Sequence, residues 1–389
     1  MTENKNLSIV FITNNWIPFS AGVVSSITAF RQELMRQGHH VTVVTLDFKR
    51  SLHEPEDGVI RVYCPIKFSY KGIPLAVPLR ADKQVRDIIN KLQPDIIHSH
   101  HPFLLGISAL KAAKTEKIPC IFTYHSLYEK YTHYIPMPQQ LLKKLVRFRV
   151  KKYCKQVDGI MLPGKETKRL LIRDDITTPH IVLPSPLQEV YMRKRVQSVQ
   201  RIHRAATQPF RLMTCSRFVK EKNIPFLLEC FARLDQTKFS FTLAGFGNEL
   251  EALQTCAYQT FKLSPTTVKF AIKLPLEDLC ALYAAHDLFI FSSLAETQGL
   301  VLAEAMVNGL PVVALNGPGQ EDIIIHGENG FLVHNQKEMQ QAIEHLAGDG
   351  DLHYRLRCNA LETAKRYTPG FLTEQLVDFY RRFLPASSE

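Results

Sequence analysis

The dominant pattern in this sequence of 389 residues is an alternation of short apolar runs with helical stretches, and the pattern occurs twice. Strands alternating with helices indicate parallel sheets covered by helices on both faces. The sequence therefore predicts two doubly wound α/β domains. The runs that predict strands are 7–13, 41–46, 95–98, 119–123 and 158–162, then 210–215, 239–244, 267–270, 288–291 and 311–315, and the predicted helices include 23–36, 224–234, 249–259, 300–308 and 371–383.

The two series meet at a segment rich in proline and basic residues. Pro184-Ser-Pro186 opens this segment, and a run rich in Arg, Lys and Gln follows it. Doubly wound sheets bind ligands beyond the carboxyl ends of their strands, so we expect the ligand site in a cleft that both domains face. The predicted organisation is a Rossmann-like domain at 1–185, a linker at 186–208, a second Rossmann-like domain at 209–369 and a last helix at 370–385 that completes the first domain.

Charge and cysteine content limit the possible functions. The formal net charge is +11, which favours an anionic partner such as nucleic acid, an anionic membrane or a phosphorylated ligand. The sequence has no apolar run of 18 residues or more and therefore no candidate transmembrane helix. Its eight cysteines form no C-x-x-C pair. This argues against a disulfide framework or a zinc site and fits a reducing cytoplasm.

The most informative segment is Glu296-Thr-Gln-Gly-Leu-Val-Leu-Ala-Glu304, which crosses a predicted strand–loop–helix junction. Between its two carboxylates, Gln298, Gly299 and Leu300 supply N–H groups at the start of the helix, where anions bind well. Two glutamates eight positions apart are common by chance, so the interpretation depends on the context. In that context a nucleotide sugar fits the segment: Glu304 accepts hydrogen bonds from its ribose diol, the amides donate to its diphosphate, and Glu296 accepts from its sugar.

This segment resembles the E-x7-E motif of retaining glycosyltransferases with the GT-B fold, in which two Rossmann-like domains face a cleft. Arg217 and Lys222, in the loop after the first strand of the second half, resemble the two cations that neutralise the donor diphosphate in that family. The resemblance implies a hexosyltransferase whose N-terminal domain binds the acceptor and whose C-terminal domain binds the nucleotide sugar.

Three glycines extend the resemblance. Gly245 and Gly247 match the family's G-x-G turn near the nucleotide base. Gly22 ends Pro18-Phe-Ser-Ala-Gly, which resembles the P-x-x-G-G loop that approaches the donor phosphates and the acceptor. Ala21 replaces the first glycine of that loop, so Gly22 is the residue expected to make the close contact.

The resemblance also implies a reaction. The anomeric configuration is retained, because the acceptor attacks the front face of the sugar and the leaving phosphate takes its proton. Stabilisation of the leaving group by Arg217, Lys222 and the helix amides requires no metal and no cofactor, and we assign no segment to the Asp-x-Asp motif of metal-dependent transferases. His125, which follows a predicted strand, matches the active-site histidine of the family.

A second group of histidines follows the preceding predicted strand. His98, His100 and His101 could suggest zinc, but Cys or carboxylate ligands at zinc spacing are missing nearby. We expect these histidines to line the acceptor site instead.

The acceptor is suggested by the segment 123–136, which is rich in Tyr and His. Together with His98-Ser-His-His-Pro-Phe103, it resembles the bacterial glucosyltransferases that glycosylate 1,2-diacylglycerol. That branch implies UDP-glucose as the co-substrate, a membrane lipid as the acceptor and a peripheral position on the cytoplasmic face of the cell membrane.

A basic helix supports a membrane partner independently of the resemblance. Residues 139–155 contain seven Lys or Arg and no acid, and basic amphipathic helices suit anionic membrane surfaces. Cations recurring every four residues predict one basic face, and Leu141, Leu142, Leu145, Val146 and Tyr153 are predicted to form another. A helix that packs its leucines on its own sheet would also fit. The residues predicted to contact the acceptor or the membrane are Lys143, Lys144, Arg147, Lys151 and Lys155.

The sequence leaves other acceptors, donors and functions open. The acceptor could be phosphatidylinositol or a soluble sugar, and the donor could be UDP-galactose or GDP-mannose. A basic nucleic-acid-binding protein would fit the charge, but no recognised nucleic-acid motif is present in the sequence, and the E-x7-E junction would have no explanation.

Overall fold

The structure is a computed structural model that describes residues 6–17, 22–48, 57–70, 73–129, 138–194 and 208–385. It divides the chain into two compact units, Met1–Pro186 with Pro369–Glu389, and Leu187–Thr368. The start of the predicted linker differs from expectation, because Leu187 and Tyr191 are buried in the core of the second unit. The rest of the predicted linker, 195–207, lies outside the described residues.

The first unit is built on seven parallel strands in the order β3-β2-β1-β6-β7-β8-β9. Its strands are β1 (Ser8–Ile12), β2 (His40–Leu46), β3 (Val59–Val62), β6 (Ile96–Ser99), β7 (Cys120–Thr123), β8 (Gly159–Leu162) and β9 (His180–Val182), and β4 (Ile66–Tyr70) and β5 (Ile73–Val77) form a separate antiparallel pair. The helices between them are α1 (Gly22–Arg36), α2 (Ala81–Leu92), α3 (Leu105–Glu116), α4 (Gln139–Cys154) and α5 (Lys165–Arg173).

The central strands of this sheet are covered on both faces. On β1, Val10 and Ile12 belong to one core cluster, whereas Ile9 and Phe11 belong to the other. Burial on both faces explains why this strand is a continuous apolar run rather than an alternating one.

The second unit contains six parallel strands in the order β12-β11-β10-β13-β14-β15. They are β10 (Phe210–Arg217), β11 (Phe239–Phe246), β12 (Val268–Ile272), β13 (Leu288–Phe291), β14 (Val312–Leu315) and β15 (Gly330–Val333). The helices of this unit are α6 (Glu189–Lys194), α7 (Ile224–Ala232), α8 (Leu250–Thr255), α9 (Leu276–Ala284), α10 (Leu300–Val307), α11 (Gln336–Gly348) and α12 (Gly350–Ala364).

The last helix, α13 (Pro369–Arg381), packs against α1 in the first unit. Its buried residues Leu376 and Tyr380 share a core cluster with Ile27 and Phe30 of α1. Two parallel α/β sheets confirm the predicted fold class. The bounds differ in places: the predicted helix 249–259 ends as an α-helix at Thr255 and continues as one π-helical segment, Cys256–Thr260.

Candidate functional site

The second sheet reverses its strand order between β10 and β13, so the loops that follow these strands lie side by side. The two loops are joined by hydrogen bonds. The Ser292 hydroxyl lies 3.0 Å from the carbonyl oxygen of Lys222 and 2.9 Å from that of Asn223, and it donates to these acceptors. The N–H of Leu294 donates to the carbonyl oxygen of Glu221 at 2.9 Å. The predicted cation and carboxylate are therefore carried by one connected surface.

Lys222 and Glu296 form an ion pair on this surface, between Nζ and Oε1. Their side chains are 17% and 14% exposed, and Nζ also lies 5.8 Å from the centre of the Phe291 ring. A pair this well covered is screened less by salt than a pair on the open surface. The predicted catalytic residues are His125, Arg217, Lys222 and Glu296, and the structure brings two of them, Lys222 and Glu296, into contact.

The amino end of α10 lies directly beyond Glu296. Its N-cap, Gly299, has φ 70° in the left-handed region, where glycine is preferred because other residues meet steric strain. Glycine has no side chain to cap the helix, so the first N–H groups, starting at Leu300, can bind an anion together with the positive end of the helix dipole.

The backbone at Gly319 and Gln320 packs closely against the loop that carries Glu296. Gly319 has φ 85°, and a β-carbon there would lie 2.9 Å from both the Gln298 nitrogen and the Glu296 β-carbon. The buried side chain of Gln320 donates from Nε2 to the Ser293 carbonyl oxygen at 2.7 Å. Close backbone packing therefore holds Glu296 and Gln298 in place.

Glu304 lies in the second turn of α10 and is only partly exposed. The hydroxyl of Tyr283 donates to its Oε2 at 3.4 Å. Burial raises the pKa of Glu304 to about 7, against the opposing effect of hydrogen bonds from Tyr191 and Tyr283. This carboxylate is thus held where its charge is poorly solvated and where hydroxyl donors would stabilise it.

Arg217 is exposed and is the last residue of β10, where it pairs in register with Phe246. The two glycines beside it have a packing role. A β-carbon at Gly245, which has φ 146°, would lie 1.9 Å from the Ser216 carbonyl oxygen, and one at Gly247 would lie 2.2 Å from that of Phe218. Packing alone therefore requires glycine at both positions, and their contact with the nucleotide remains a prediction.

In the first unit, the strand order reverses between β1 and β6, and the histidines lie at this point. His98 is fully buried, with Nδ1 2.5 Å from the Tyr380 hydroxyl of α13 and Nε2 2.6 Å from the Thr123 hydroxyl. Burial lowers the pKa of His98 to about 3. The backbone N–H of Asn14 donates to Nδ1 of His101 at 3.2 Å, and burial lowers the pKa of His101 to about 4.

His125 follows β7 and joins this group. Its Nε2 lies 2.9 Å from Nδ1 of His100, and the two rings are stacked with centroids 5.2 Å apart. Burial lowers the pKa of both imidazoles well below the ordinary value, so both are neutral at pH 7. The four histidines thus bind hydroxyl groups, a backbone amide and one another.

Two sequence predictions fall partly outside the described residues. Of the proline-rich loop, only Gly22 is described. It begins α1 and is exposed, and a β-carbon there would have no neighbour within 4 Å among the residues that the structure describes. Contacts with the described residues therefore do not explain this glycine, and its close approach to a ligand stays a prediction. Of the segment 123–136, residues 130–136 are not described.

The arrangement of α4 differs from the prediction. Its apolar residues do not form one face: Leu142, Val150, Tyr153 and Cys154 are buried. On the exposed side, Leu141 and Phe148 are each 61% exposed and Leu145 is 44% exposed.

Its cations differ in their surroundings too. The guanidinium of Arg147 donates to Asp174 Oδ1 from Nε at 2.8 Å and from Nη2 at 2.5 Å, so this charge is already compensated. Lys143, Lys144 and Lys155 are exposed and Lys151 is partly exposed. The outer face of α4 therefore carries lysines together with apolar side chains.

Among the described residues, no group of three His, Cys, Asp or Glu side chains is arranged to hold a metal ion. The sequence contains one Asp-x-Asp triplet, Asp349-Gly-Asp351, which corrects the expectation that this motif is missing. The Asp349 carboxylate caps α12 by accepting the N–H groups of Asp351 and Leu352 at 3.1 and 2.9 Å. No helix in the described part of the chain has both the length and the apolar character that crossing a membrane would require.

The structure adds residues that the sequence did not indicate. Tyr191 and Tyr283 surround Glu304 although they lie far from it in sequence, and Tyr380 reaches His98 from the last helix. Single tyrosines in helices carry no sequence signal for such contacts, so only the fold could identify them.

Comparisons with known proteins extend these observations. A family model described as Glycosyltransferase Family 4 matches residues 20–219, and one described as Glycosyl transferases group 1 matches residues 209–349. These matches leave the nucleic-acid-binding alternative without support.

The relatives that match most of the chain include two synthases and a mannosyltransferase. An alpha-monoglucosyldiacylglycerol synthase of Streptococcus pneumoniae is 28% identical over 87% of this chain and 77% of its own length. Another from Acholeplasma laidlawii is 25% identical over 93% of each chain. A GDP-mannose-dependent alpha-mannosyltransferase of Corynebacterium glutamicum is 24% identical over 97% of this chain and 89% of its own.

Solved structures share the fold. Sucrose-phosphate synthase from Thermosynechococcus elongatus aligns with a TM-score of 0.77 and 19% identity, over 96% of this chain and 98% of that one. HepE of Anabaena, in complex with UDP-glucose, aligns with a TM-score of 0.74 and 17% identity, over 97% of this chain and 100% of that one. Since the Glycosyltransferase Family 4 model covers more than half of the sequence, this chain belongs to that family and is a glycosyltransferase with the GT-B fold.

Proposed function

We propose that the protein transfers glucose from UDP-glucose to 1,2-diacylglycerol at a membrane surface, with retention of the anomeric configuration and without a metal ion or other cofactor. The observation that carries the proposal is the Lys222–Glu296 ion pair beside the uncapped amino end of α10. The two relatives named as alpha-monoglucosyldiacylglycerol synthases support this choice of donor sugar and acceptor.

The donor is held by complementary charges. The N–H groups of Gln298, Gly299 and Leu300 bind the diphosphate, and Glu304 accepts hydrogen bonds from the ribose hydroxyls. Lys222 and Glu296 neutralise one another before the donor binds. On binding, Lys222 turns to the diphosphate and Glu296 accepts from the sugar hydroxyls, so neither charge is left uncompensated.

In the proposed reaction, the bonds that form and break belong to the donor and the acceptor. A bond forms between the acceptor oxygen and the anomeric carbon, and the bond from that carbon to the diphosphate breaks. The acceptor proton passes to the leaving phosphate oxygen. Arg217 and Lys222 stabilise the negative charge that grows on the diphosphate, which is the role a metal ion has in other transferases. His125 hydrogen-bonds the transferred sugar.

The lipid acceptor is supported by the outer face of α4, where Leu141, Leu145 and Phe148 lie exposed among lysines. Such a face suits the boundary between lipid head groups and acyl chains. Beside it, α3, α4 and the loop before α3 line an open pocket of about 460 Å³, which is within the range of about 300–1,000 Å³ that small-ligand sites occupy. Its lining includes the apolar Phe103, Ile107, Leu110, Leu145 and Val146 and the cations Lys111, Lys114, Arg149 and Lys152.

A panel assay tests the proposal. The purified protein is incubated with labelled UDP-glucose, UDP-galactose or GDP-mannose, with and without EDTA, and with anionic vesicles that contain diacylglycerol or phosphatidylinositol or with soluble sugars. We expect an α-glucosyl lipid, identified by NMR of the anomeric proton, from UDP-glucose and diacylglycerol only. Transfer from GDP-mannose alone, or to a soluble sugar without vesicles, would overturn the proposed donor or acceptor.

The membrane contact is tested separately. Changing Lys143, Lys144 and Lys155 to Gln should weaken vesicle binding by about 3 kcal/mol at low salt, since each cation near an anionic surface contributes roughly 1 kcal/mol. Added salt should reduce the difference. The matched control changes the exposed Lys83, Arg86 and Lys91 of α2. Equal loss in both triple variants would mean that binding follows net charge rather than α4.

A further inference from the structure

His100 is the buried partner of the proposed active-site histidine. It is 1% exposed, and its Nδ1 lies 2.9 Å from Nε2 of His125. Its other ring nitrogen, Nε2, is buried and has no hydrogen-bond partner among the described residues. The ring packs against Phe11 edge to face, with centroids 5.0 Å apart, and stacks on His98 with centroids 4.4 Å apart.

This geometry restricts where the protons are. A neutral imidazole carries one N–H, so one of the two facing nitrogens donates and the other accepts. If His125 donated, the proton of His100 would lie on Nε2, as a buried N–H without an acceptor. Orphaned buried N–H groups are rarer in proteins than unpaired acceptors. The proton of His100 therefore belongs on Nδ1, from which it donates to His125.

We propose that His100 is a positioning residue that fixes His125 in its Nδ1–H tautomer. Because Nε2 of His125 accepts from His100, the single proton of His125 lies on Nδ1. His125 can then only donate a hydrogen bond to substrate and cannot act as the base that deprotonates the acceptor. This inference rests on the proposed function, in which His125 hydrogen-bonds the transferred sugar. It leaves the leaving phosphate as the group that takes the proton of the acceptor hydroxyl.

The support behind His100 is rigid. His98 lies beneath it with an interplanar angle of 21° and is itself held by Tyr380 and Thr123. Burial lowers the pKa of His98 and of His100, so this stack carries no charge at pH 7. The helix α13 thus contributes to the orientation of His125 through a chain of side chains.

Nitrogen NMR on the full-length protein labelled at histidine tests the tautomer without donor or acceptor. We expect His125, identified by the signal lost in His125→Gln, to be protonated on Nδ1. In His100→Asn the amide nitrogen can replace Nδ1 as the donor, so the tautomer should be kept. In His100→Asp the carboxylate can only accept, so the proton of His125 should move to Nε2. Protonation of His125 on Nε2 in the wild type would overturn the inference.

Kinetics test the consequence. We expect His100→Asp to lower kcat by about 10²-fold, which is typical for the loss of one transition-state donor, and His100→Asn to retain most of the turnover. Equal turnover in both would overturn the positioning role. If His100→Asp does not fold, judged by circular dichroism, His100→Leu replaces it, because leucine also removes the donor. An inactive wild type with the expected tautomer would instead refute the proposed function alone.

Discussion

Glu304 offers a test that separates binding from stability. In the donor-free protein, burial raises its pKa to about 7 from an ordinary value of 4.5. Between these two values the folded chain holds a proton that the unfolded chain has released. The free energy of unfolding must therefore fall as the pH rises from about 4.5 through 7, and it levels off above that.

The size of the effect follows from the shift. One pKa unit corresponds to about 1.4 kcal/mol, so the charged carboxylate costs up to about 3 kcal/mol at pH 8. Glu304→Gln removes the charge but keeps the shape. We expect it to raise the melting temperature at pH 8, by roughly 2–4 °C for each kcal/mol in a domain of this size, and to have little effect at pH 4.5.

The same substitution should weaken donor binding. A carboxylate can accept from both ribose hydroxyls, and hydrogen bonds to charged groups are worth about 1.5–3 kcal/mol. We therefore expect Glu304→Gln to raise the Kd of UDP-glucose roughly 10- to 100-fold, as measured by isothermal titration calorimetry. In the wild type, affinity should increase as the pH rises through 7, whereas the variant should show no such dependence.

The control is Glu251→Gln, an exposed glutamate on α8. It should change neither the melting temperature at pH 8 nor the affinity for UDP-glucose. The reasoning is refuted if Glu304→Gln and wild type melt in parallel from pH 4.5 to 8, or if they bind the donor equally well.

Three further predictions concern the cation, the histidines and a glycine. Lys222→Ala should lower kcat about 10²- to 10³-fold, and a steady-state assay with wild-type turnover would exclude its role on the diphosphate. Because His98 has a folded pKa of about 3, the free energy of unfolding falls as the pH falls below 6.5, by about 2 kcal/mol at pH 5 for this residue alone. Urea unfolding at pH 7 and pH 5 should show this loss. The variant His98→Phe should lose less stability over the same pH range. Gly245→Ala should destabilise the protein by more than about 1–3 kcal/mol, since it adds backbone strain to a contact of 1.9 Å with the Ser216 carbonyl oxygen. By contrast, Gly348 lies at the end of α11 with no described neighbour within 4 Å of an added β-carbon, so Gly348→Ala should be stabilising by about 0.5–1 kcal/mol. Equal melting of the two variants would contradict the packing argument.

The sequence alone determined the class of fold and the order of its central elements. Parallel strands buried on both faces must be continuous apolar runs, so runs such as 288–291 could be recognised directly, and β13 has these bounds. The segment from Glu296 to Glu304 could also be recognised from the sequence, because its predicted anion site is formed by consecutive residues at one helix end.

Less regular elements were missed. The strands β3, β9 and β15 lie at the edges of their sheets and are less completely buried than central strands such as β13. They therefore lack the apolar run, buried on both faces, that identifies a central parallel strand. The two faces of α4 were also misjudged, since a helical pattern cannot tell which apolar residues meet the sheet and which, like Phe148, remain exposed.

Only the tertiary structure decided how the charges and protons of the site are arranged. Lys222 and Glu296 are 74 positions apart and meet because the sheet reverses its order between β10 and β13. His98 and Tyr380 are 282 positions apart and meet because α13 returns to the first unit. The pKa of a buried group and the tautomer of a histidine depend on such neighbours, and local sequence patterns extend over only a few residues, so they cannot contain this information.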